Sequence, residues 1–528
     1  MIVSVKTPAW LEDAVFYEIY PQSFNDSNGD GIGDIQGIIA KLDYIKSLGC
    51  NAIWLNPCFE SPFMDAGYDI SDYYKVAPRY GTNDDLKELF KLARKKGVRI
   101  FLDLVVGHTS IEHPWFKESC KAKPNKYSDW FIWNDNIWAA PPDIRSISGY
   151  AERSANFVIN FFWCQPALNF GFANPDPKQP WQRSVNDPVV KEVREEVWKI
   201  MRFWLDMGCD GFRVDMAGSL VKHDPEQKET MKFWQEIRKR MDKQYPDAAI
   251  VAEWACPSRS IPGGFHMDFL PHFGDPAFAK LFLEKECFFS KDGKGDITAF
   301  LETYMPNLWK TSGLGHVCLQ TANHDMQRIS KGRDRDLTEA GIAFIIGMPG
   351  VPFIYYGDEI GMKSLPLDSY EGGYGRTGSR TPMQWTNGKN CGFSTAKAEK
   401  LYLPVDSAKD RPTVAGQEAD PDSLLNAVRG LVKLRHSKKA LQASGSFLPL
   451  YAEKKQVPFI FLRSAGEERI IFAVNPSGKA VKASFDAPSA DKATLLAGRG
   501  KVSLSLKKGK GSKAQITMAP ESYAFFEI

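Results

Sequence analysis

Short apolar runs rich in Val, Ile and Phe alternate along the chain with longer segments of helical periodicity, the pattern expected of βαβ units around a parallel sheet. Eight runs are candidate strands: Ala14–Tyr20, Ala52–Asn56, Arg99–Val106, Gly211–Met216, Ala249–Trp254, Phe265–Leu270, Val317–Ala322 and Val351–Tyr356. Eight such strands with helices between them predict a closed (β/α)8 TIM barrel in the α/β class. One intervening helix is signalled by Asp187 as N-cap, Pro188 at the first helical position, apolar residues at Val193, Val197, Ile200, Met201 and Trp204, and Gly208 as the stop. A second starts near Thr82, carries Asp84 and Asp85 in its first turn, and ends at Gly97 after Arg94, Lys95 and Lys96, in accord with the helix macrodipole. The uncharged run Ala340–Gly357 nears the length of a membrane span, but Pro349, Pro352 and several glycines divide it into a helix end, a turn and a buried strand.

Two connections are too long for plain barrel loops. The first, from Gly107 to about Gly171, holds Trp115, Trp130, Trp133, Trp138 and Trp163, enough apolar mass for a small subdomain; the second covers about Gly361 to Pro421. From about Ser446 the chain reads as antiparallel strands (PFIFLRS, RIIFAVN, SYAFFEI) with turn-rich spacers, a C-terminal β-sandwich. The expected domains are a barrel from residues 1–106 and 172–445, a subdomain inserted after strand 3 at 107–171, and a β-domain at 446–528. The lysine-rich LKKGKGSKAQ is expected to be a solvated hairpin tip.

Composition narrows the partners. The 528 residues are 43% hydrophobic and 25% charged, which is ordinary globular usage, and 67 basic against 64 acidic residues leave no surplus to drive polyphosphate binding. Nucleic acid and membrane are therefore not expected partners. The first twenty residues contain no signal-peptide apolar core, and nine scattered cysteines without a CxxC pair favour reduced thiols, so a cytoplasmic protein is expected.

Barrel chemistry sits where strands end and loops begin. Those positions hold Asp103 and His108 after strand 3, Arg213 and Asp215 after strand 4, Glu253 after strand 5, and Asn323, His324 and Asp325 after strand 7. So many like charges on one rim are costly without a catalytic use. Neighbouring strands lie about 4.8 Å apart, so Asp215 and Glu253 at equal heights approach the roughly 5–5.5 Å separation of a retaining glycosidase. Asp215 is then the nucleophile and Glu253 the general acid/base, with Arg213 two residues before Asp215 on the same face, keeping it ionised and oriented.

These four blocks resemble the α-amylase superfamily of glycoside hydrolases, and QPALN (Gln165–Asn169) with RTPMQW (Arg380–Trp385) resemble its oligo-1,6-glucosidase and α-glucosidase branch. The likeness extends to YEIYPQSF, GYDISDY at Gly67–Tyr73 and the terminal β-domain. It implies Asp215 as nucleophile, Glu253 as acid/base and Asp325 as the third acid gripping sugar hydroxyls. It implies His108 and His324 as hydroxyl ligands, Tyr68 as a stacking platform, and Asp69 paired with Arg380 at the closed end of a pocket; Asp103, Gln165, Arg213 and Arg328 complete the substrate-binding set. A charged clamp at the far wall makes a pocket instead of a groove, hence an exo-acting enzyme on small oligosaccharides. Trehalose synthases, sucrose isomerases and transglucosidases use the same intermediate, so they are the rival reading; an endo-acting α-amylase and a catalytically inactive binding protein are further ones.

The segment Asp26–Asp34 reproduces the first nine positions of a calcium loop, with oxygen side chains at Asp26, Asn28, Asp30 and Asp34 and glycine at the sixth, but Gly37 stands in place of the bidentate glutamate. The resemblance implies one structural Ca2+, or Mg2+, bound also through the Ile32 carbonyl. Three positions depart from the resembled pattern: Gly107 replaces an asparagine before His108, Ala167 replaces the aspartate of QPDLN, and Met216 follows the nucleophile, where it would narrow the leaving-group side.

Overall fold

The computed structural model describes residues 7–134, 136–141, 143–490, 492–506 and 513–528. Most of the lysine-rich segment therefore lies outside the described residues. Eight parallel strands close into a barrel: β1 (Phe16–Ile19), β2 (Ala52–Leu55), β3 (Arg99–Leu104), β4 (Gly211–Val214), β5 (Ala249–Ala252), β6 (Met267–Phe269), β7 (His316–Gln320) and β8 (Pro352–Tyr355). They neighbour one another in chain order, and β8 pairs with β1 to complete the ring.

Alternate strand residues point inward, and the lower interior is filled by Phe16, Ala52, Trp54, Phe101, Ala249, Val251, Met267, Phe269, Cys318 and Phe353. Gly211 is the small member of this layer. A Cβ there would lie 2.0 Å from the Ala249 carbonyl oxygen and 2.5 Å from the Phe101 ring, so only glycine lets β3, β4 and β5 close at this height. One step up the same inward faces the side chains become polar: Glu18, Asp103 and Arg213, all buried. The barrel is thus apolar at its base and charged at its carboxyl rim.

The two signalled helices form as expected. Pro188–Met207 is capped by Asp187, which accepts from the Val189 N–H, and stops at Gly208 with φ 121°. Asn83–Lys95 has a reciprocal capping box between Thr82 and Asp85. Arg335–Gly347 followed by β8 resolves the long uncharged run, and among the described residues no helix is long and apolar enough to cross a membrane. All nine cysteines are free. The connection after β8 holds short 3-10 turns, including Tyr374–Ser379, and one short α-helix, Val414–Glu418.

Eight antiparallel strands follow: β9 (Ser446–Tyr451), β10 (Phe459–Ala465), β11 (Glu468–Asn475), β12 (Val481–Asp486), β13 (Thr494–Arg499), β14 (Val502–Leu506), β15 (Lys513–Met518) and β16 (Ser522–Glu527). They make a five-stranded sheet in the order β9-β10-β11-β16-β13 and a three-stranded sheet β12-β15-β14. One face of the larger sheet packs on the smaller through Ile460, Ile471, Phe485, Ile516 and Phe526. Its other face, Phe459, Phe461, Phe472 and Phe525, joins the core that includes Phe344 of the barrel helix Arg335–Gly347. Burial on both faces explains why β10, β11 and β16 read as nearly continuous apolar runs instead of strict alternation.

Candidate active site

The rim encloses a cavity of ≈ 790 Å³ lined by Asp65, Tyr68, His108, Gln165, Asp215, Glu253, Asp325 and Arg376 at its polar end and by Phe161, Phe162, Met216, Trp254, Phe273 and Tyr374 towards its mouth. The three expected acids therefore converge. Their arrangement is organised from below by Arg213, whose guanidinium meets Asp103 at 2.8 Å, Asp215 at 3.1 Å and Glu253 at 2.6 Å. Asp103 and Arg213 are register partners on β3 and β4, which brings their inward side chains side by side. One guanidinium facing three buried carboxylates cannot neutralise them all. Burial and the neighbouring Glu253 raise Asp215, and burial raises Glu253, so the group retains a shared proton above the ordinary carboxylate range.

Met216, immediately after Asp215, has φ 42°, an uncommon value for a non-glycine residue. The turn aims its N–H at Glu253 Oε2, 2.9 Å away. Asp325 is held differently: burial opposes its ionisation, but His324, Arg376 and Arg380 overcome this and keep its carboxyl far below the ordinary range. Arg376 lies 2.7 Å and Arg380 2.9 Å from Asp325 Oδ1.

Behind the cavity, Tyr68 Oη donates to Asp103 at 2.9 Å and lies 2.7 Å from His324 Nε2. A phenol has one proton, so His324 is the donor in the second contact. His324 Nδ1 is 2.9 Å from Glu18 Oε1. Burial raises Glu18 and lowers His324, and a single proton held between them satisfies both.

Several expected placements change. Asp69 does not meet Arg380: it accepts from Ser61 Oγ and from the N–H groups of Met64 and Asp65, fixing the turn before Tyr68. Arg380 is buried against Asp325, the His324 carbonyl and Tyr20. The charged pair at the cavity wall is Asp65 and Arg376, 3.5 Å apart, with Gln165 Nε2 donating to Asp65 at 2.7 Å. Asp65 is three residues before Tyr68 and Arg376 four before Arg380, so in each case a charge just upstream of the recognised block does the pairing.

Arg328 is likewise remote from the cavity lining, fully buried and bonded to Asp358 and the Tyr356 carbonyl. Asp103, Arg213 and His324 act from beneath the cavity and do not line it. Ala167 packs among Ile132, Val158 and Phe172, where an aspartate would be buried without a partner.

The loop Asp26–Asp34 is wound by its own side chains. Asp26 accepts from the N–H groups of Asn28, Gly29 and Gly31, Asn28 from Asp30, Asp30 from Ile32, and Asp34 from Ser27 and Gly37. Among the described residues no three His, Cys, Asp or Glu side chains converge as a metal cluster, so any cation here would draw on the Asn28 and main-chain oxygens as well.

Comparison with known proteins agrees with this architecture. Residues 18–444 match the family described as Alpha amylase, catalytic domain. The oligo-1,6-glucosidase of Heyndrickxia coagulans is 32% identical over 91% of this chain and 94% of its own length. The trehalose synthase/amylase TreS of Mycolicibacterium smegmatis is 32% identical over 84% of this chain and 78% of its own. Among solved structures, the trehalulose synthase MutB of Pseudomonas mesoacidophila MX-45 superposes with TM-score 0.79 at 26% identity, covering 99% of this chain and 100% of that one. With its closed parallel barrel and the acids converging on the rim, the chain belongs to the α-amylase family of glycoside hydrolases.

Proposed function

We propose that the chain is a retaining, exo-acting α-glucosidase that releases glucose from short α-1,4- or α-1,6-linked oligosaccharides. The observation that carries the reading is the polar end of the cavity, where Asp215, Glu253 and Asp325 share the lining with the paired Asp65 and Arg376. On this reading the Asp65–Arg376 pair bounds the site of one terminal sugar and stops a longer chain on that side. Asp215 attacks the anomeric carbon as the bond to the leaving oxygen breaks, and Glu253 passes its proton to that oxygen. Glu253 then takes a proton from water, whose oxygen displaces Asp215 and restores the free carboxylate. Asp325, held ionised by two arginines, accepts from sugar hydroxyls, and Tyr68 and His108 line the same sugar's site.

The apolar mouth favours a second reading. Phe161, Phe162, Trp254 and Phe273 would shield the intermediate from water, which suits an isomerase or transglucosidase in which another sugar hydroxyl attacks. A time-resolved product profile from maltose, isomaltose, trehalose and sucrose, by anion-exchange chromatography, separates the two. Free glucose as the first product supports the hydrolase; isomeric or longer sugars before glucose reassign the chain as a transferase. Asp215→Asn should abolish turnover in either case while retaining the fold, and near-wild-type activity in that variant excludes the mechanism.

The loop Asp26–Asp34 is proposed to hold one hard divalent cation, Ca2+ or Mg2+, through oxygens of Asp26, Asn28, Asp30 and Asp34 and the Ile32 carbonyl. Its all-oxygen donor set suits such an ion. EDTA should lower the melting temperature and added Ca2+ restore it, in proportion to free-ion concentration; an EDTA-insensitive melting temperature overturns the assignment.

A further inference from the structure

Gly107 and Asn160 compete for one space. A Cβ at Gly107 would lie 2.6 Å from Asn160 Nδ2, closer than real side chains approach, and Gly107 does not have the positive φ that would by itself demand glycine. The glycine is there to make room. Asn160 enters that room from the long segment after β3, with its side chain nearly fully buried. Its Nδ2 donates to His108 Nδ1 at 3.2 Å and lies 3.7 Å from Met216 Sδ. Its Oδ1 accepts from Ser219 Oγ at 3.4 Å and Lys222 Nζ at 3.3 Å, and its main-chain N–H bonds the Gln165 carbonyl at 3.0 Å.

We infer that Asn160 is a positioning residue for the sugar site: its amide, occupying the volume freed by Gly107, orients the His108 ring and ties the turn after the nucleophile to the inserted segment. Of the side chains that Asn160 touches, His108, Met216 and Ser219 line the cavity, in position to face substrate. Because His108 Nδ1 accepts from Asn160, the ring proton sits on Nε2, where it is donated to the Tyr68 carbonyl at 3.0 Å. The amide thereby selects one tautomer and one ring orientation. The same residue joins Ser219 and Lys222 through its Oδ1 and Gln165 through its main-chain N–H, so the β3 rim, the β4 rim and the inserted segment share one buried polar junction. A fully satisfied junction of this kind rigidifies what it connects, and a half-satisfied one is costly.

The test is a cycle of Asn160→Ala, Gly107→Asn and the double variant, with melting temperature, kcat and KM measured for isomaltose and p-nitrophenyl α-glucoside. Losing the amide leaves His108 Nδ1 unpaired, and removing one buried hydrogen-bond partner corresponds to about a tenfold loss in kcat/KM, expected mainly in KM with kcat within about twofold. Gly107→Asn alone, forced against Asn160, should lose at least as much and melt lower. In the double variant the new amide fills the vacated space from the other side, so both melting temperature and KM should recover to near wild type. A double variant no better than Gly107→Asn, or an Asn160→Ala with wild-type KM, overturns the inference. If Asn160→Ala does not fold, Asn160→Asp keeps the volume but reverses the hydrogen bond to His108, and wild-type KM in that variant is equally decisive against it. The assay, though not the packing argument, rests on the glucosidase reading. Failure of that reading shows as an inactive wild type, while the melting temperatures still decide whether residues 107 and 160 share one space.

Discussion

Under the glucosidase reading, Asp65 and Arg376 set how far a sugar enters the barrel. Both carry most of their polar contacts within the wall: Arg376 reaches Asp325 and the Gly372 carbonyl, and Gln165 supports Asp65. Burial raises Asp65 to about 7, and Arg376 and Arg380 pull against that rise. Arg376→Ala would leave Asp65 and Asp325 facing each other with one cation fewer. With the cation that faces both carboxylates removed, kcat/KM on isomaltose should fall about a hundredfold, roughly 3 kcal/mol of lost transition-state binding. Steady-state kinetics check this, and an unchanged value would remove the wall from the account of specificity. The gathering of Asp103, Arg213, Asp215, Glu253 and Asp325 at one rim was legible from polar groups at strand ends, whereas Tyr68 and Gln165 were singled out only by the family resemblance. What misled was resolution within a motif. Asp69 lies one residue after Tyr68 and Asp65 three before it, and sequence proximity alone assigns the clamp to either. Only the turn shows that Asp69 is consumed by three local donors while Asp65 faces the cavity.

At the scale of elements, the short helix Pro114–Ser119 carries a prediction about how the inserted segment responds to protonation. Its N-cap is His113, whose Nδ1 accepts from the Trp115 N–H at 3.1 Å. The cap works only with Nδ1 unprotonated. Burial pushes His113 down to about 3, whereas an unfolded histidine titrates near 6.5. The unfolded chain thus binds the proton first, so the stability this residue contributes is complete above about pH 6.5 and is lost progressively as pH falls toward 3. His113→Asn retains a capping acceptor without the titration. Limited proteolysis at pH 4.5 should cut the wild-type segment faster than the variant, relative to their rates at pH 7.5; equal ratios would show that the cap does not govern opening. Helix ends such as Asp187–Pro188 and Thr82–Asp85 were legible because their capping partners are local in sequence. The His113 cap was not, because histidine gives no such signal without knowledge of its burial.

Across the whole molecule, one fully buried arginine of the β-sandwich, Arg463, ties it to the barrel, and a second, Arg435 of the barrel helix Leu424–Ser437, pins the same barrel segment. Arg435 donates to the carbonyls of Ile346, Met348 and Gly350, and Arg463 to those of Gly347, Gln442, Gly445 and Ser446. Their shared target is the carboxyl end of the helix Arg335–Gly347, where unpaired carbonyls and the negative end of the dipole collect. Arg463→Met fills similar volume but orphans several carbonyls, an expected loss of roughly 3 kcal/mol. Denaturant titration should show a lower midpoint while kcat of the folded enzyme is unchanged. A midpoint equal to wild type would mean that the sheet's apolar contact alone holds the joint. The domain order was legible from alternating patterns, but not this joint, since buried arginines bonded to carbonyls have no partner charge in sequence to reveal them.

Under the glucosidase reading, the Asp65–Arg376 wall would also govern traffic. On that reading the pair closes the far end, so whatever enters last leaves first and the shortened chain departs before the glucose. The enzyme cannot thread along a polymer between cuts, as a through-groove would allow. Each encounter removes a single unit and ends, and the liberated sugar, last to go, competes with every new substrate for the same dead end.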